Sequence, residues 1–156
     1  MAVSLADLLD EKLIDLDLRT RTVSTALGKL VEKLATEGLV KEPGKFLEQI
    51  MAREKTKPSA VEEGVAFPHV RTDLVEKIVL AIGRSRAGLT FEENGERAHL
   101  IFLIGVPQRL VNDYLVTVGA LARRLRNPEF RQRLRFAASA AEFVEILKQE
   151  DENPFA

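Results

Sequence analysis

Cysteine is absent from this chain of 156 residues, and histidine occurs only twice. Without cysteine the protein has no disulfide, no thiolate nucleophile and no metal site built on cysteine, which is compatible with a reducing compartment. No apolar run approaches the roughly 20 residues that a membrane-spanning helix needs, and the start of the chain lacks the basic and apolar regions of a signal peptide. We therefore expect a cytoplasmic protein.

An excess of charge of either sign is also lacking. The chain has 23 Lys and Arg residues against 24 Asp and Glu, which gives a formal net charge of -1. This balance does not favour nucleic acid or an anionic membrane as a partner. Hydrophobic residues make up 46% of the chain, which is enough for one buried core at this length. We expect a single domain over residues 1–156, with a core at about 4–149 and a loose polar tail at 150–156.

Apolar residues recur at helical spacing in several segments. Ser4 with Asp7 is typical of a cap before a short helix, and Pro43-Gly44 indicates a turn. Asn127-Pro128 and a capping box from Ser139 to Glu142 mark two later helix starts. The predicted helices cover about residues 5–9, 22–37, 45–54 and 110–125, and two more begin near 128 and 140.

Residues that favour β-structure are concentrated in other segments. The predicted strands cover residues 13–16, 64–67, 77–82 and 98–106. Asn94-Gly95 is a tight-turn dipeptide, so a short strand near 89–91 is expected to pair with the segment that follows it. The segment 98–106 is apolar almost throughout, which is typical of a strand covered on both faces. The mixture of segments with helical spacing and segments that favour β-structure predicts an α/β fold with helices packed on a sheet.

His69 is the candidate nucleophile, because a neutral imidazole is nucleophilic near pH 7. Phe67, which precedes a proline, is expected to continue the strand, and Pro68 fixes its own backbone and offers no amide donor. The pattern therefore predicts His69 where an extended segment stops and a loop begins, and sites in α/β sheets gather beyond such strand ends. The alternative interpretation is a half-buried structural histidine.

Arg53 and Glu54 lie at the end of the third predicted helix. A guanidinium binds two phosphate oxygens at once and would stabilise the charge of a phosphohistidine. The alternative is a favourable cation at a helix C-terminus that needs no ligand. The local sequence does not decide between the two.

Arginine is frequent in the late helices. A nucleic-acid site is one interpretation of this pattern, but no aromatic platform or nucleic-acid motif accompanies it, so we predict a solvated face or an acidic protein partner and no nucleic acid. There is no glycine-rich phosphate loop before a Lys-Ser/Thr pair, and we predict no cofactor and no metal. The arginines are Arg109, Arg123, Arg124, Arg126, Arg131, Arg133 and Arg135.

Three segments, in their order and spacing, carry a resemblance to a known family. They are Phe46–Glu54, Val65–His69 and Leu100–Pro107. The chain resembles the EIIA domains of the phosphoenolpyruvate-dependent sugar phosphotransferase system, in the fructose/mannitol and nitrogen-regulatory branch. The resemblance extends from Leu5 to Leu147. It implies an α/β fold in which a mixed β-sheet is sandwiched between helices.

The resemblance also implies roles for individual residues. His69 matches the phosphorylated histidine, which attacks through Nε2 and accepts its phosphoryl group from phospho-HPr, and Arg53 matches the arginine beside it. Relatives often carry a second histidine where this chain has Tyr114, whose phenol can donate a hydrogen bond but is not a cation at neutral pH. Tyr114 is thus an auxiliary candidate. The segment Lys55–Glu63 departs from the Gly/Ser/Thr-rich family pattern, and His99 is assigned a structural role.

The partners expected from the resemblance are an HPr-like phosphocarrier, and either an EIIB or a regulatory target protein. With no sugar channel or EIIB domain in 156 residues, the chain is similar to the free-standing nitrogen-regulatory type, and peripheral association with a transporter is compatible with it. Two alternatives stay open. One is a sugar-specific EIIA that passes phosphate to an EIIB, and the other is a regulatory binding module that never accepts phosphate.

Overall fold

The computed structural model describes residues 4–151, in which a block of consecutive strands lies between helices. Short 3-10 turns precede β1 and α4. The elements are α1 (Leu5–Leu8), β1 (Ile14–Asp15), α2 (Val23–Thr36), α3 (Pro43–Thr56), β2 (Val61–Glu62), β3 (Val65–Ala66), β4 (His69–Arg71), β5 (Val79–Thr90), β6 (Arg97–Val106), α4 (Val111–Arg124), α5 (Pro128–Arg135) and α6 (Ala140–Asp151).

The strands form a single mixed sheet in the order β1-β5-β6-β3-β2, and β4 also pairs with β6. The long strands β5 and β6 are antiparallel, whereas β3 and β4 both run parallel to β6. β1 is parallel to β5, and β2 is antiparallel to β3. The predicted mixed sheet is confirmed, and β6 pairs with β4, the strand on which His69 lies.

Helices cover both faces of this sheet. Ile101 and Leu103 of β6 belong to the core shared with α2 and α3, and Phe102 and Ile104 belong to the core shared with α1, α4, α5 and α6. All four side chains are at most 2% exposed. The continuous apolar pattern of this strand therefore reflects burial on both faces, as the sequence predicts.

Side chains at the helix N-termini accept hydrogen bonds from otherwise unpaired backbone amides. The Oγ1 of Thr22 accepts from the amide of Thr25, and the Oδ1 of Asn127 accepts from the amide of Glu129. The predicted box before α6 is only half right. Ser139 Oγ accepts from the Glu142 amide, but the Glu142 carboxylate accepts from the amide of Ala138. The Glu142 carboxylate thus binds the amide of Ala138, one residue before the Ser139 amide that a capping box would use.

The turn predicted at Pro43-Gly44 is wrong, because both residues lie in the first turn of α3. Proline is well suited to the first helical position, where its missing amide costs no hydrogen bond. The chain reverses one residue earlier, at Glu42, whose φ of 48° is left-handed. Helix α3 also extends past Glu54 to Thr56, so Arg53 lies in its last turn.

The short strand predicted near 89–91 does pair with the segment that follows it, since Leu89 lies opposite Ala98 and Thr90 opposite Arg97. It is not a separate strand, however, because β5 continues without a break to Thr90. The register between β5 and β6 shifts between Arg84 and Leu89. Gly88 has a φ of 87°, and a Cβ there would lie 2.8 Å from the Cβ of Arg97. A glycine is therefore needed to carry the strand through the irregularity.

The predicted boundary of the tail differs from the structure. Helix α6 continues to Asp151, and residues 152–156 of the predicted tail lie outside the described residues. Within the described range, no helix is both long and apolar enough to cross a membrane.

Candidate functional site

His69 lies in a strand, and not in a loop after one as the sequence predicts. Strand β3 ends at Ala66, before Phe67, and β4 begins at His69 opposite Ile104 of β6. The carbonyl of Pro68 accepts from the Ile104 amide at 2.9 Å, so the chain stays beside β6 although proline has no amide to donate. The break at Phe67-Pro68 is short, and the strand then resumes with the histidine.

Two hydrogen bonds define the protonation of the His69 ring. Nδ1 lies 2.9 Å from the carbonyl oxygen of Phe67, which can only accept, so Nδ1 carries the proton and donates. Nε2 lies 3.0 Å from Nη2 of Arg53, which can only donate, so Nε2 accepts. The ring is therefore neutral, with its lone pair on Nε2.

Burial lowers the pKa of His69 below its usual value, and the nearby cations Arg53 and Arg71 act in the same direction. The hydrogen bond to the Phe67 carbonyl and the charge of Glu54 act in the opposite direction. Because the net effect is a lowered pKa, the neutral form of the imidazole is favoured at neutral pH.

Arg53 and Glu54 are adjacent in α3 but differ in environment. The Arg53 side chain is exposed and reaches His69, whereas Glu54 is 8% exposed. The Glu54 carboxylate accepts from the Ser59 amide at 2.9 Å and from the Ser59 hydroxyl at 2.5 Å. Glu54 therefore ties the segment after α3 to the last turn of that helix.

The structure brings Tyr114 to His69, as the match to the second family histidine implies. The centroids of the two rings are 5.4 Å apart and the planes are tilted by 34°. Burial raises the pKa of the Tyr114 phenol above its usual value, although Arg53 has a lowering effect. The phenol is thus neutral at physiological pH and contributes no charge.

A pocket of about 360 Å³ opens beside His69 and Arg53. Lys57 lies four residues after Arg53 and lines the same pocket, as do Phe67 and Leu125. The pocket lining combines cationic side chains with the carboxylates of Glu62 and Glu63 and with apolar residues. Phe67 packs in a stacked arrangement on Phe102. Val70 is 8% exposed within the α2 and α3 core and is therefore a core residue.

His99, the other histidine, lies apart from this site. His99 lies on β6, and Ile104, the partner of His69, lies five residues later on the same strand. Five residues of strand separate His99 from Ile104 by about 16 Å. The Nδ1 of His99 lies 2.9 Å from the Ser85 carbonyl oxygen and donates to it. This contact ties β6 to β5 at the irregular part of the hairpin.

Several of the arginines in the late helices bind the protein's own backbone or side chains. Arg124 donates to the Leu147 carbonyl and Arg131 to the Leu125 carbonyl. Arg131 also forms an ion pair with Glu63 at 3.3 Å. Part of the arginine-rich pattern in the late helices therefore serves to hold elements of the fold together. Among residues 4–151 there is no group of three or more His, Cys, Asp or Glu residues placed to hold a metal ion.

Sequence reasoning identified His69, Arg53 and Tyr114 but missed the contact between Glu54 and Ser59. Their separation of five residues spans the end of a helix, so spacing alone does not indicate that they meet. It also missed Lys57 as a pocket residue. Lys57 follows Arg53 by four residues but lies just beyond the end of α3 in an extended conformation, so helical spacing does not predict that it lines the pocket.

Comparison with known proteins gives a consistent result. The family described as "Phosphoenolpyruvate-dependent sugar phosphotransferase system, EIIA 2" matches residues 7–150. The fructose-specific EIIABC component of Bacillus subtilis is 28% identical over 96% of this chain, which spans only 24% of that protein. The fructose-specific EIIA component of Haloferax volcanii is 30% identical, with 88% of this chain and 90% of that protein covered. The nitrogen regulatory protein of Bradyrhizobium diazoefficiens is 30% identical, with 83% and 85% covered.

Solved structures agree with these relatives. The nitrogen regulatory protein IIA-Ntr of Neisseria meningitidis has a TM-score of 0.81 at 25% identity, covering 92% of this chain and 98% of that one. The complex of enzyme IIAMTL and phosphorylated enzyme IIBMTL from Escherichia coli matches with a TM-score of 0.75 at 26% identity, covering 90% and 97%.

Proposed function

Because this chain belongs to the EIIA 2 family of the phosphoenolpyruvate-dependent sugar phosphotransferase system, we propose that His69 is its phosphoryl acceptor and Arg53 balances the transferred charge. The donor is an HPr-like phosphocarrier protein. Downstream, the chain either binds a regulatory target protein in a phosphorylation-dependent way or passes its phosphoryl group to an EIIB, since relatives of both the nitrogen-regulatory and the sugar-specific kind resemble this chain.

The observation that carries the proposal is the pair of hydrogen bonds on the imidazole. Phe67 holds the proton on Nδ1, and the lone pair is therefore on Nε2, the nitrogen that faces Arg53. A nucleophile held in one tautomer needs no proton shift before it attacks.

The transfer proceeds as an in-line displacement. The Nε2 lone pair of His69 attacks the phosphorus of the donor's phosphohistidine, a new P–N bond forms, and the donor's P–N bond breaks with its electron pair returning to the donor imidazole. Little covalent machinery is required beyond alignment and charge stabilisation.

Arg53 must exchange partners during this step. In the resting site its Nη2 donates to Nε2, and that bond occupies the lone pair that attacks. The side chain is exposed at the end of α3, so it is able to turn from the nitrogen to an oxygen of the arriving phosphoryl group. A guanidinium then donates two parallel hydrogen bonds to phosphoryl oxygens.

An intact-mass measurement after incubation with phosphoenolpyruvate, enzyme I and HPr tests the proposal. The wild type is expected to gain one phosphoryl group, and His69→Ala none. His99→Ala is the matched control, because it removes the other histidine and should be labelled like the wild type. Arg53→Ala is expected to be labelled more slowly and to lose its phosphoryl group faster.

Two results would contradict the proposal. Labelling of His69→Ala to the wild-type extent would exclude His69 as the acceptor, and unchanged labelling and discharge of Arg53→Ala would exclude the role of Arg53. A wild type that gains no mass with several HPr proteins would instead favour a binding module that never accepts phosphate.

A further inference from the structure

Arg71 lies on the same face of the sheet as His69. Side chains alternate along a strand, so residues two apart in β4 point the same way. Val70 between them is buried in the α2 and α3 core, and His69 and Arg71 therefore face the opposite side. Their partners in β6, Ile104 and Val106, are buried on that same side, beneath α4.

The Arg71 side chain is exposed and forms no ion pair or side-chain hydrogen bond with other residues in the range 4–151. This distinguishes it from Arg109, which donates to the carbonyl of Glu76, and from Arg131, which bonds Glu63. Nevertheless Arg71 lies close enough to His69 to lower the pKa of that ring. A cation near the imidazole is thus without an anionic partner in the described structure.

A phosphoryl group on His69 would need more positive charge than Arg53 alone supplies. A phosphoryl group carries about -1.5 to -2 charges at pH 7, and Arg53 contributes one positive charge. Tyr114 is neutral, and Glu54 adds a negative charge in range of the imidazole. Lys57 and Arg126 line the pocket together with Glu62 and Glu63, so these four side chains add no net charge. The site would therefore retain an uncompensated negative charge without a second cation at the imidazole.

We propose that Arg71 is this second cation and that its guanidinium binds the phosphoryl group on His69 together with Arg53. The two residues reach the group from different elements, Arg53 from α3 and Arg71 from β4. This inference rests on His69 as the phosphoryl acceptor. Its consequence is that Arg71 slows the loss of the phosphoryl group to water, because it stabilises the dianionic phosphohistidine more than the metaphosphate-like transition state, in which the charge is spread over the oxygens.

Phosphoramidate, a small-molecule phosphoryl donor, provides a test that needs no partner protein. The His69 nitrogen attacks its phosphorus, the P–N bond of the donor breaks, and ammonia leaves. All variants are made in a His99→Ala background, so that only His69 is available. The rate of discharge is then followed by intact mass after the donor is removed.

The variants are Arg71→Met, Arg71→Lys and the control Arg86→Met, which removes an exposed arginine from β5 and changes the net charge by the same amount. We expect Arg71→Met to discharge about three- to tenfold faster than its parent, Arg71→Lys to be intermediate, and Arg86→Met to match the parent. The difference should shrink at about 1 M salt, where exposed charges are screened.

A second readout separates phosphoryl binding from a merely structural role. In a ³¹P titration, the pKa of the second ionisation of the phosphohistidine should be higher in Arg71→Met than in its parent, because a cation that favours the dianion has been removed. Equal discharge rates in Arg71→Met and its parent, or an equal effect of Arg86→Met, would overturn the proposal. Labelling by phosphoramidate but not by phospho-HPr would contradict the proposed function and leave the test of Arg71 intact.

Discussion

At the scale of single residues, the protonation of one ring decides what the site can do. The Phe67 carbonyl accepts from the protonated Nδ1 of His69, and the Arg53 guanidinium donates to the unprotonated Nε2 of the same ring. A protonated ring could not satisfy both contacts, because Arg53 would then meet a second donor. The resting site therefore excludes the imidazolium, which has no lone pair to attack phosphorus.

This arrangement predicts the titration of His69. Its pKa is lowered, chiefly by burial, so an NMR titration should give a value below about 6.5, the value of an unperturbed histidine. Arg53→Met should raise the pKa of His69, because Arg53 contributes to the lowering, and the distant Arg86→Met should not change it. A wild-type value at or above about 6.5 would contradict the assignment.

The lowered pKa of His69 also makes the free energy of unfolding depend on pH. A histidine whose pKa is lowered in the folded state binds fewer protons than it does in the unfolded chain. Its contribution to the free energy of unfolding is therefore fully present above about 6.5 and is lost as the pH falls through the lowered pKa. The stability of the wild type relative to His69→Gln should thus increase with pH in that window.

At the scale of elements, the end of α3 and the segment after it act as a unit. Glu54→Gln would replace two charge-assisted hydrogen bonds from the Ser59 amide and hydroxyl with weaker neutral ones, because glutamine keeps one acceptor oxygen and its NH2 group can only donate to the hydroxyl. We expect a loss of about 1–3 kcal/mol in the free energy of unfolding, measured by urea denaturation.

Glu48→Gln is the matched control for Glu54→Gln, since Glu48 is exposed on the same helix and a surface change there should cost less than about 0.5 kcal/mol. Equal stability of the two variants would contradict the role of Glu54. Labelling of Glu54→Gln by phosphoramidate then reports whether the segment at Ser59 also affects the accessibility of His69.

The elements also indicate which features a sequence can predict. The long helices follow from apolar periodicity and β6 from a continuous apolar run, and the caps at Thr22 and Asn127 follow from residue type. The continuity of β5 through Gly88 could not be predicted, because a positive φ at one glycine preserves a strand that the local pattern interrupts. The placement of His69 in β4 depends on pairing with a strand 35 residues away, which local sequence does not specify.

The candidate site shows the same division. His69, Arg53 and Tyr114 could be named because their order and spacing match a family, and the structure brings all three together. The contact of Glu54 with Ser59 depends on side-chain conformations at a helix end. Arg71 has no partner among the described residues, and this depends on which side chains surround it in three dimensions. Neither property is encoded by spacing alone.

At the scale of the whole molecule, a partner that delivers a phosphoryl group to His69 must bind the surface around it. Leu115 and Val116 follow Tyr114 on α4 and are 59% and 65% exposed. Leu115→Glu should therefore slow labelling by phospho-HPr about tenfold, which corresponds to about 1.4 kcal/mol. Labelling by phosphoramidate should not change, because that donor needs no protein surface.

The control for this variant is Phe136→Glu, which makes a similar change at a residue that is 77% exposed after α5. It should leave labelling by both donors unchanged. If Leu115→Glu and Phe136→Glu slow labelling by phospho-HPr equally, then added negative charge and not the surface beside His69 determines the rate.

The break between β3 and β4 has a consequence for association as well as for chemistry. The Pro68 carbonyl faces β6, so the adjacent Phe67 carbonyl faces the opposite way, beyond the start of β2, whose first residue, Val61, lies opposite Ala66. An unpaired strand edge of this kind is a template for aggregation. Here the Phe67 carbonyl, an acceptor on that edge, is already bonded to the imidazole of His69. This one hydrogen bond selects the nucleophilic nitrogen and also makes the carbonyl unavailable to a strand from another chain.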